Sequence, residues 1–252
     1  MWLVRRLLNS IRVTANCTGT AQTSDIVEAF DWIVANAPTH SITNFSFSSN
    51  SYSIRHAMDN TILDGHVIVT GAGNDNINDC WLPTYPLQRY KSSGAINVGA
   101  TDNSDTRSSF SNYGPCVSIS APGTNITGAA FNSNSGSVVL SGTSMASPLV
   151  AGIAALYSGA HPGAAPYEVM EAVIDSATIN IVTDIKTSKN KLAFSEPSMP
   201  NAFWKKTGTV IAPINPEFFL PVPGCTLGQK AYKVIGEYPQ QGMFLLEVWT
   251  CS

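Results

Sequence analysis

The chain has 252 residues, enough for one large α/β domain or for a medium domain with a small appendage. Its 14 basic and 17 acidic residues leave a net charge of −3, and no run of Lys or Arg marks a nucleic-acid or anionic-membrane partner. Charged residues make up only 12% of the chain while Gly, Ser, Asn and Thr abound, a balance that favours a secreted protein over a cytosolic one.

The opening Met1-Trp2-Leu3-Val4-Arg5-Arg6-Leu7-Leu8 is apolar but broken by two arginines, with no small-residue cleavage site after it, and is not read as a signal peptide. No apolar run reaches the roughly 20 residues that span a bilayer, so a soluble chain without a membrane partner is expected. Asp25 to Val34 has apolar residues at helical spacing, with Ser24 as the expected N-cap. Ser41 to Phe47 alternates as a strand does, and Ile54 to Leu63 is helical again. His66 to Thr70 and Ala95 to Ala100 are short β-branched or small-residue runs of the kind that form interior strands. Alternation of this sort implies parallel βαβ units, whose chemistry gathers at the carboxyl ends of the strands, here at Gly71-Ala72-Gly73-Asn74.

Two further strands are expected at Val117 to Ile119 and Val138 to Leu140. From Ser147 the residues Leu149, Val150, Ile153, Ala154, Leu156 and Tyr157 keep helical spacing, with Pro148 in the first turn and Ser144 opening a buried helix. Tyr167 to Ser176 makes one more helix. After about Ser195 the chain turns Pro- and aromatic-rich, with β-like runs at Gly208 to Ile211, Ala231 to Ile235 and Met243 to Val248. The expected organisation is therefore a main domain over 1–195 and a small β-rich appendage over 196–252. Asn-x-Ser/Thr triplets at Asn16, Asn44 and Asn125 decide nothing in a chain this rich in Asn and Ser.

A serine hydroxyl attacks poorly unless it sits at a helix start, beside a base, with backbone amides aimed at the developing oxyanion. Ser144, in Gly142-Thr143-Ser144-Met145-Ala146-Ser147-Pro148, has the helix start; the competing reading of the string is a small-residue helix cap. Ser141 to Leu156 resembles the serine segment of the subtilases, in particular the proteinase K and aqualysin branch. Val98-Gly99-Ala100-Thr101, Phe110-Ser111-Asn112-Tyr113-Gly114 and Ala121-Pro122-Gly123 resemble that branch's preceding stretches in the same order. Cys17-Thr18-Gly19 through Asp25, Asp31 and Trp32 resembles its first helix after the catalytic histidine, so the likeness covers about Ile11 to Ser195.

The resemblance implies a three-layer α/β fold, a parallel sheet with flanking helices, incomplete at its N-terminal end. It implies Ser144 as nucleophile of a serine endopeptidase acting on polypeptides, and Asn74 as side-chain donor of the oxyanion hole. It further implies that Ser46, Phe47, Ser48 and Ser49, together with Val69, Thr70, Gly71, Gly73 and Thr143, flank the bound peptide. The branch usually has Ser-Leu-Gly-Gly where this chain reads Ser46-Phe47-Ser48-Ser49. By the same resemblance Cys80 pairs with Cys116, Cys225 and Cys251 close the appendage, and Cys17 is left over, its family partner lying near the catalytic histidine motif. No cofactor is expected: a branch calcium site draws a carboxylate where this chain has Ser118. Leu149 replaces the family's usual histidine at a position outside the triad.

Subtilases supply Asp, then His, then Ser, and neither Asp-Thr-Gly nor Asp-Ser-Gly nor His-Gly-x-His occurs in this sequence. The four histidines, His40, His56, His66 and His161, are expected to be structural or exposed. Three readings follow, the third being that Ser144 acts with a base from another chain, for which nothing in the sequence speaks. In the first, the chain is the carboxyl two-thirds of a secreted, extracellular endopeptidase lacking an N-terminal segment, inactive by itself and destabilised by exposed sheet edge and core. In the second, it is a non-catalytic relative that uses the cleft as a binding or interaction protein.

Overall fold

The computed structural model describes residues 9–14, 20–47, 51–78, 80, 95–130 and 132–195, and the backbone of three strands within 204–251. Backbone contacts divide the chain into two units, Met1–Phe194 and Ser195–Ser252.

The first unit is built on a six-stranded sheet. Its members are β1 (Ile42–Phe45), β2 (Val67–Gly71), β3 (Ala95–Thr101), β4 (Ile119–Pro122), β7 (Thr178–Ile179) and β8 (Lys191–Leu192), in the spatial order β1-β2-β3-β4-β8-β7. Every pairing is parallel except β7 with β8. Because side chains alternate across a strand, the apolar run of β2 serves two cores at once. Ile68 joins Phe45 and Ala95 beneath α1 (Thr23–Asn36) and α2 (Tyr52–Leu63). Val67 and Val69 join Ile96, Val98 and Ile119 beneath α3 (Thr143–Ala160) and α4 (Pro166–Asp175). This is the three-layer α/β arrangement expected, with both faces of the sheet covered as parallel sheets require. Ile68 is wholly buried, and truncating it to Ala would cost about 2–5 kcal/mol.

Local details depart from the sequence reading. Helix α1 begins at Thr23 with Gln22 as N-cap, so Ser24 lies inside the first turn, where its hydroxyl bonds Asp25 Oδ1 at 3.2 Å. The strand expected at Val117 starts two residues later, because the Val117 N–H closes a turn onto Gly114 O and pairing with β3 begins at Ile119. Val138 to Leu140 does form a strand, β6 (Ser137–Leu140), but in a separate antiparallel hairpin with β5 (Ile126–Ala129). Pro148 is the sixth residue of α3, not part of its first turn. The helix is buried on one side only: Val150, Ile153 and Ala154 face the sheet, while Leu149 and Leu156 stay 44% and 55% exposed. Strand β1 ends the sheet, with no further strand paired to its outer edge among the described residues.

The second unit is a three-stranded antiparallel sheet of β9 (Trp204–Pro213), β10 (Lys230–Glu237) and β11 (Met243–Cys251), with β11 in the middle. Its strands run longer than the β-like patterns predicted. Bulges fall between Val234 and Gly236 and between Val248 and Trp249.

Candidate active site

The carboxyl ends of β1, β2 and β4 converge on the first turn of α3. Gly142 is drawn in by its N–H to Gly123 O at 2.8 Å. Gly123 can come that close because it lacks a Cβ, which would stand 2.6 Å from the Ala100 Cβ and 2.8 Å from Gly142 O. Beside it, a Cβ on Gly71 would stand 2.8 Å from Thr143 Oγ1. Two glycines therefore set how closely the strand ends approach the helix.

No local residue caps α3; the cap comes from the loop after β2. Asn74 Oδ1 accepts the Thr143 N–H at 2.9 Å and the Thr143 hydroxyl at 3.1 Å, and that hydroxyl accepts the Gly73 N–H at 3.1 Å. With Oδ1 taken by two donors, the orientation of the Asn74 amide is set and Nδ2 faces the other way. The position a Cβ on Gly142 would occupy lies 3.4 Å from Nδ2, 3.6 Å from Met145 Sδ and 3.7 Å from the Ser144 backbone nitrogen. Two nitrogen donors thus border one small space at the positive end of an 18-residue helix, a setting suited to a negatively charged oxygen.

Ser144 is half-buried, and its hydroxyl donates to Ser46 O at 3.4 Å. That carbonyl accepts a hydrogen bond but cannot take up a proton. Around it runs a closed polar ring: Ser147 Oγ donates to Asn44 Oδ1 at 2.8 Å, Asn44 Nδ2 donates to Ser46 Oγ at 3.0 Å, and Ser46 Oγ lies 2.8 Å from Ser147 Oγ. Since the Ser147 proton goes to Asn44, the one proton of the Ser46 hydroxyl is left to Ser147 Oγ or to Ser144 O. Ser46 Oγ also lies 3.4 Å from Ser144 O, the carbonyl left without its helical partner by Pro148, which has no N–H. Sequence reasoning misses Asn44 and Ser147 as members of this site; the signals they leave are an Asn-x-Ser triplet and a place in the helix sequence.

Of the residues expected to flank a peptide, Ser46, Phe47 and Gly71 are half-buried at this edge. Phe47 stacks on Phe45 with ring centroids 5.7 Å apart, and Phe45 meets Phe30 edge-on at 5.2 Å, which fixes the chain leaving β1. Val69, Thr70, Gly73 and Thr143 are buried, Val69 within the core under α3 and Thr143 against Asn74. Ser48, Ser49, Cys17 and Cys225, and with the last the expected Cys225–Cys251 bridge, lie outside the described residues. Cys80 and Cys116 are joined, their Cα atoms 5.6 Å apart, below the Asn74 loop.

No histidine comes near Ser144. His161 caps the far end of α3, stacked on Tyr157 at 4.2 Å, and 17 residues of helix place it roughly 25 Å away. His66 precedes β2 at its amino end, 1% exposed, with Nε2 3.3 Å from Asp64. His40 precedes β1 at the same end of the sheet, and His56 stacks on Tyr52 of α2, on the face opposite α3. Ser118 Oγ accepts the Asn97 N–H at 3.3 Å. Among the described residues no three His, Cys, Asp or Glu side chains gather where they could hold an ion.

A profile of the subtilase family matches residues 7–202. The extracellular serine proteinase of Thermus sp. strain Rt41A is 38% identical over 190 residues, covering 75% of this chain and 45% of that protein. Alkaline serine exoprotease A of Vibrio alginolyticus is 36% identical over 189 residues, covering 75% and 34%. The crystal structure of a cold-adapted subtilisin-like serine proteinase superposes with a TM-score of 0.65 at 34% identity, covering 71% of this chain and 64% of that one. The chain thus spans less than half the length of both sequence relatives.

Proposed function

The chain belongs to the subtilase family, and from that premise we propose that it carries the nucleophile and oxyanion-hole half of a serine endopeptidase site. Ser144 Oγ attacks the carbonyl carbon of a peptide bond, and the resulting oxyanion is received by Asn74 Nδ2 and the Ser144 N–H. The carbon–nitrogen bond then breaks to give an acyl-enzyme and a free amine, and water releases the acyl group. The Oγ proton must reach the leaving nitrogen through a base. In this reading the base and its orienting carboxylate come from outside Met1–Ser252, and the chain alone is inactive toward peptides by several orders of magnitude. The observation that carries the proposal is the approach of Asn74 Nδ2 and Ser144 N to one point at the start of the helix that carries the Ser144 hydroxyl.

Ser46, Phe47 and Gly71 would border the substrate polypeptide, without cofactor or metal. The extracellular name of the Thermus relative and the Cys80–Cys116 bridge support a setting outside the cell, where disulfides persist. The second reading, a non-catalytic relative that binds polypeptides in the same cleft, is favoured by one observation: all four histidines stand away from Ser144.

Residual chemistry separates the two. An oxyanion hole without its triad still accelerates hydrolysis by about 10³–10⁴-fold over water. The purified chain should therefore leave a fluorophosphonate probe unreacted at Ser144, yet hydrolyse a peptide nitrophenyl ester slowly, and Asn74→Ala should cut that rate by about 10²–10³-fold. Hydrolysis at the buffer rate, unmoved by Asn74→Ala, would leave the binding-protein reading. Strong fluorophosphonate labelling would refute the absence of a base.

A further inference from the structure

The Asn74 side chain is gripped by Thr143, but a side-chain grip positions Nδ2 only if the loop beneath it is itself held. That loop, residues 73–77, leaves β2 and turns sharply, with Asn76 at φ 54°. The turn brings the N–H groups of Asp75 and Ile77 to one acceptor, Asn112 Oδ1, at 2.9 and 3.2 Å. Asn112 is 1% exposed, and its own N–H donates to Gly73 O at 2.9 Å. It therefore touches the chain on both sides of Asn74 without touching Asn74's amide. The neighbours of Asn112 extend the clasp: the Asn76 N–H donates to Phe110 O at 2.8 Å, and the Tyr113 N–H donates to Ile77 O at 3.0 Å.

Asn112 is in turn anchored. Ser111 Oγ accepts the Ala100 N–H at 3.0 Å from the end of β3 and donates to Asn112 O at 3.0 Å. Arg107, 5% exposed, donates from Nη1 to the carbonyls of Ser108 and Ser111. A line of hydrogen bonds runs from the central strand through Ser111 and Asn112 to the loop that presents Asn74.

We propose that Asn112 is a positioning residue of the oxyanion hole, its side-chain carbonyl setting where Asn74 Nδ2 stands. This rests on the reading of Asn74 as oxyanion donor. The geometry dictates the residue type, because one buried oxygen must accept two converging backbone N–H groups. A carboxamide or carboxylate does this and an aliphatic side chain of the same shape does not.

The experiment uses the full chain with Asn112→Leu, which keeps the shape, Asn112→Ala as a second variant, and Asn112→Asp, which keeps the acceptor. Amide hydrogen exchange should quicken at Asp75 and Ile77 in the Leu and Ala variants and stay slow in the Asp variant. Hydrolysis of the peptide nitrophenyl ester should fall about 10- to 100-fold in the Leu or Ala variant, the scale of an ångström-level misplacement. In an Asn74→Ala background the same substitution should cause no further loss. Unchanged exchange at Asp75 and Ile77, or an equal loss in both backgrounds, overturns the assignment of Asn112 alone. A parent rate insensitive to Asn74→Ala overturns the oxyanion reading and the assignment with it.

Discussion

Asn74 Oδ1 accepts both the backbone N–H and the hydroxyl of Thr143, at 2.9 and 3.1 Å, across 69 positions of chain. One carbonyl oxygen thus caps the helix that carries Ser144 and turns its own amide nitrogen toward that serine. Thr143→Val keeps the shape, strands the Gly73 N–H and leaves Oδ1 with one donor. The expected outcome is a loss of about 1–3 kcal/mol in urea unfolding, the cost of an unmet buried donor, with slower nitrophenyl-ester hydrolysis.

Gly142 should be replaceable without unfolding the chain, since a Cβ there meets its neighbours at 3.4 to 3.7 Å, ordinary contact distances. The methyl group would nevertheless stand within 3.7 Å of Asn74 Nδ2 and the Ser144 nitrogen, the two donors proposed to receive an oxyanion. Gly142→Ala is expected to lower nitrophenyl-ester hydrolysis by tenfold or more while shifting the melting temperature by under about 3 °C, the equivalent of roughly 1 kcal/mol at this size. A large melting shift with an unchanged rate would contradict the placement of the two donors.

Pro148 denies Ser144 O its helical partner, and Ser46 Oγ stands 3.4 Å from that oxygen. Pro148→Ala restores the N–H and should raise stability, up to about 3 kcal/mol. Ser46→Ala should destabilise the parent more than it destabilises the Pro148→Ala variant, a coupling that a double-mutant cycle in urea would measure. Strict additivity would mean that Ser46 serves Ser147 and Asn44 only.

The Asp184 carboxyl is held below the ordinary aspartate range by the hydrogen bond and charge of Lys186, 2.6 Å away, and secondarily by Arg107 at 3.1 Å. A carboxyl lowered on folding adds stability above its unfolded value near 3.9, and loses it as the pH falls through the native value. Asp184→Asn should therefore be less stable than the parent at pH 7, with the gap closing below about pH 4. Because the group is exposed the effect is small, and a gap that widens in acid would contradict a lowered carboxyl.

Features that rest on neighbours in the chain are legible in the sequence. The β-branched run Val67 to Thr70 reads as a strand covered on both faces, the small-residue string Gly142 to Ser147 reads as the start of a helix, and the order of these segments carries the family likeness. Where local preference is weak, pattern misleads. Val138 to Leu140 reads as a strand, but its partner Ile126 to Ala129 does not, because neither flank has a strong pattern and the hairpin stands away from the core. Pro148 reads as a first-turn residue because proline favours that position, yet the helix that Ser144 is expected to open starts at Thr143, under a cap from Asn74, and carries Pro148 as its sixth residue. It takes the folded chain to set the histidines apart from Ser144, to close the ring of Ser46, Asn44 and Ser147, and to bring Asn112 onto the loop of Asn74. Apart from the Asn44–Ser46 bond, those last relations join residues from 35 to 103 positions apart, and a hydrogen bond of 3 Å leaves no trace in chain spacing until the sheet brings its ends together.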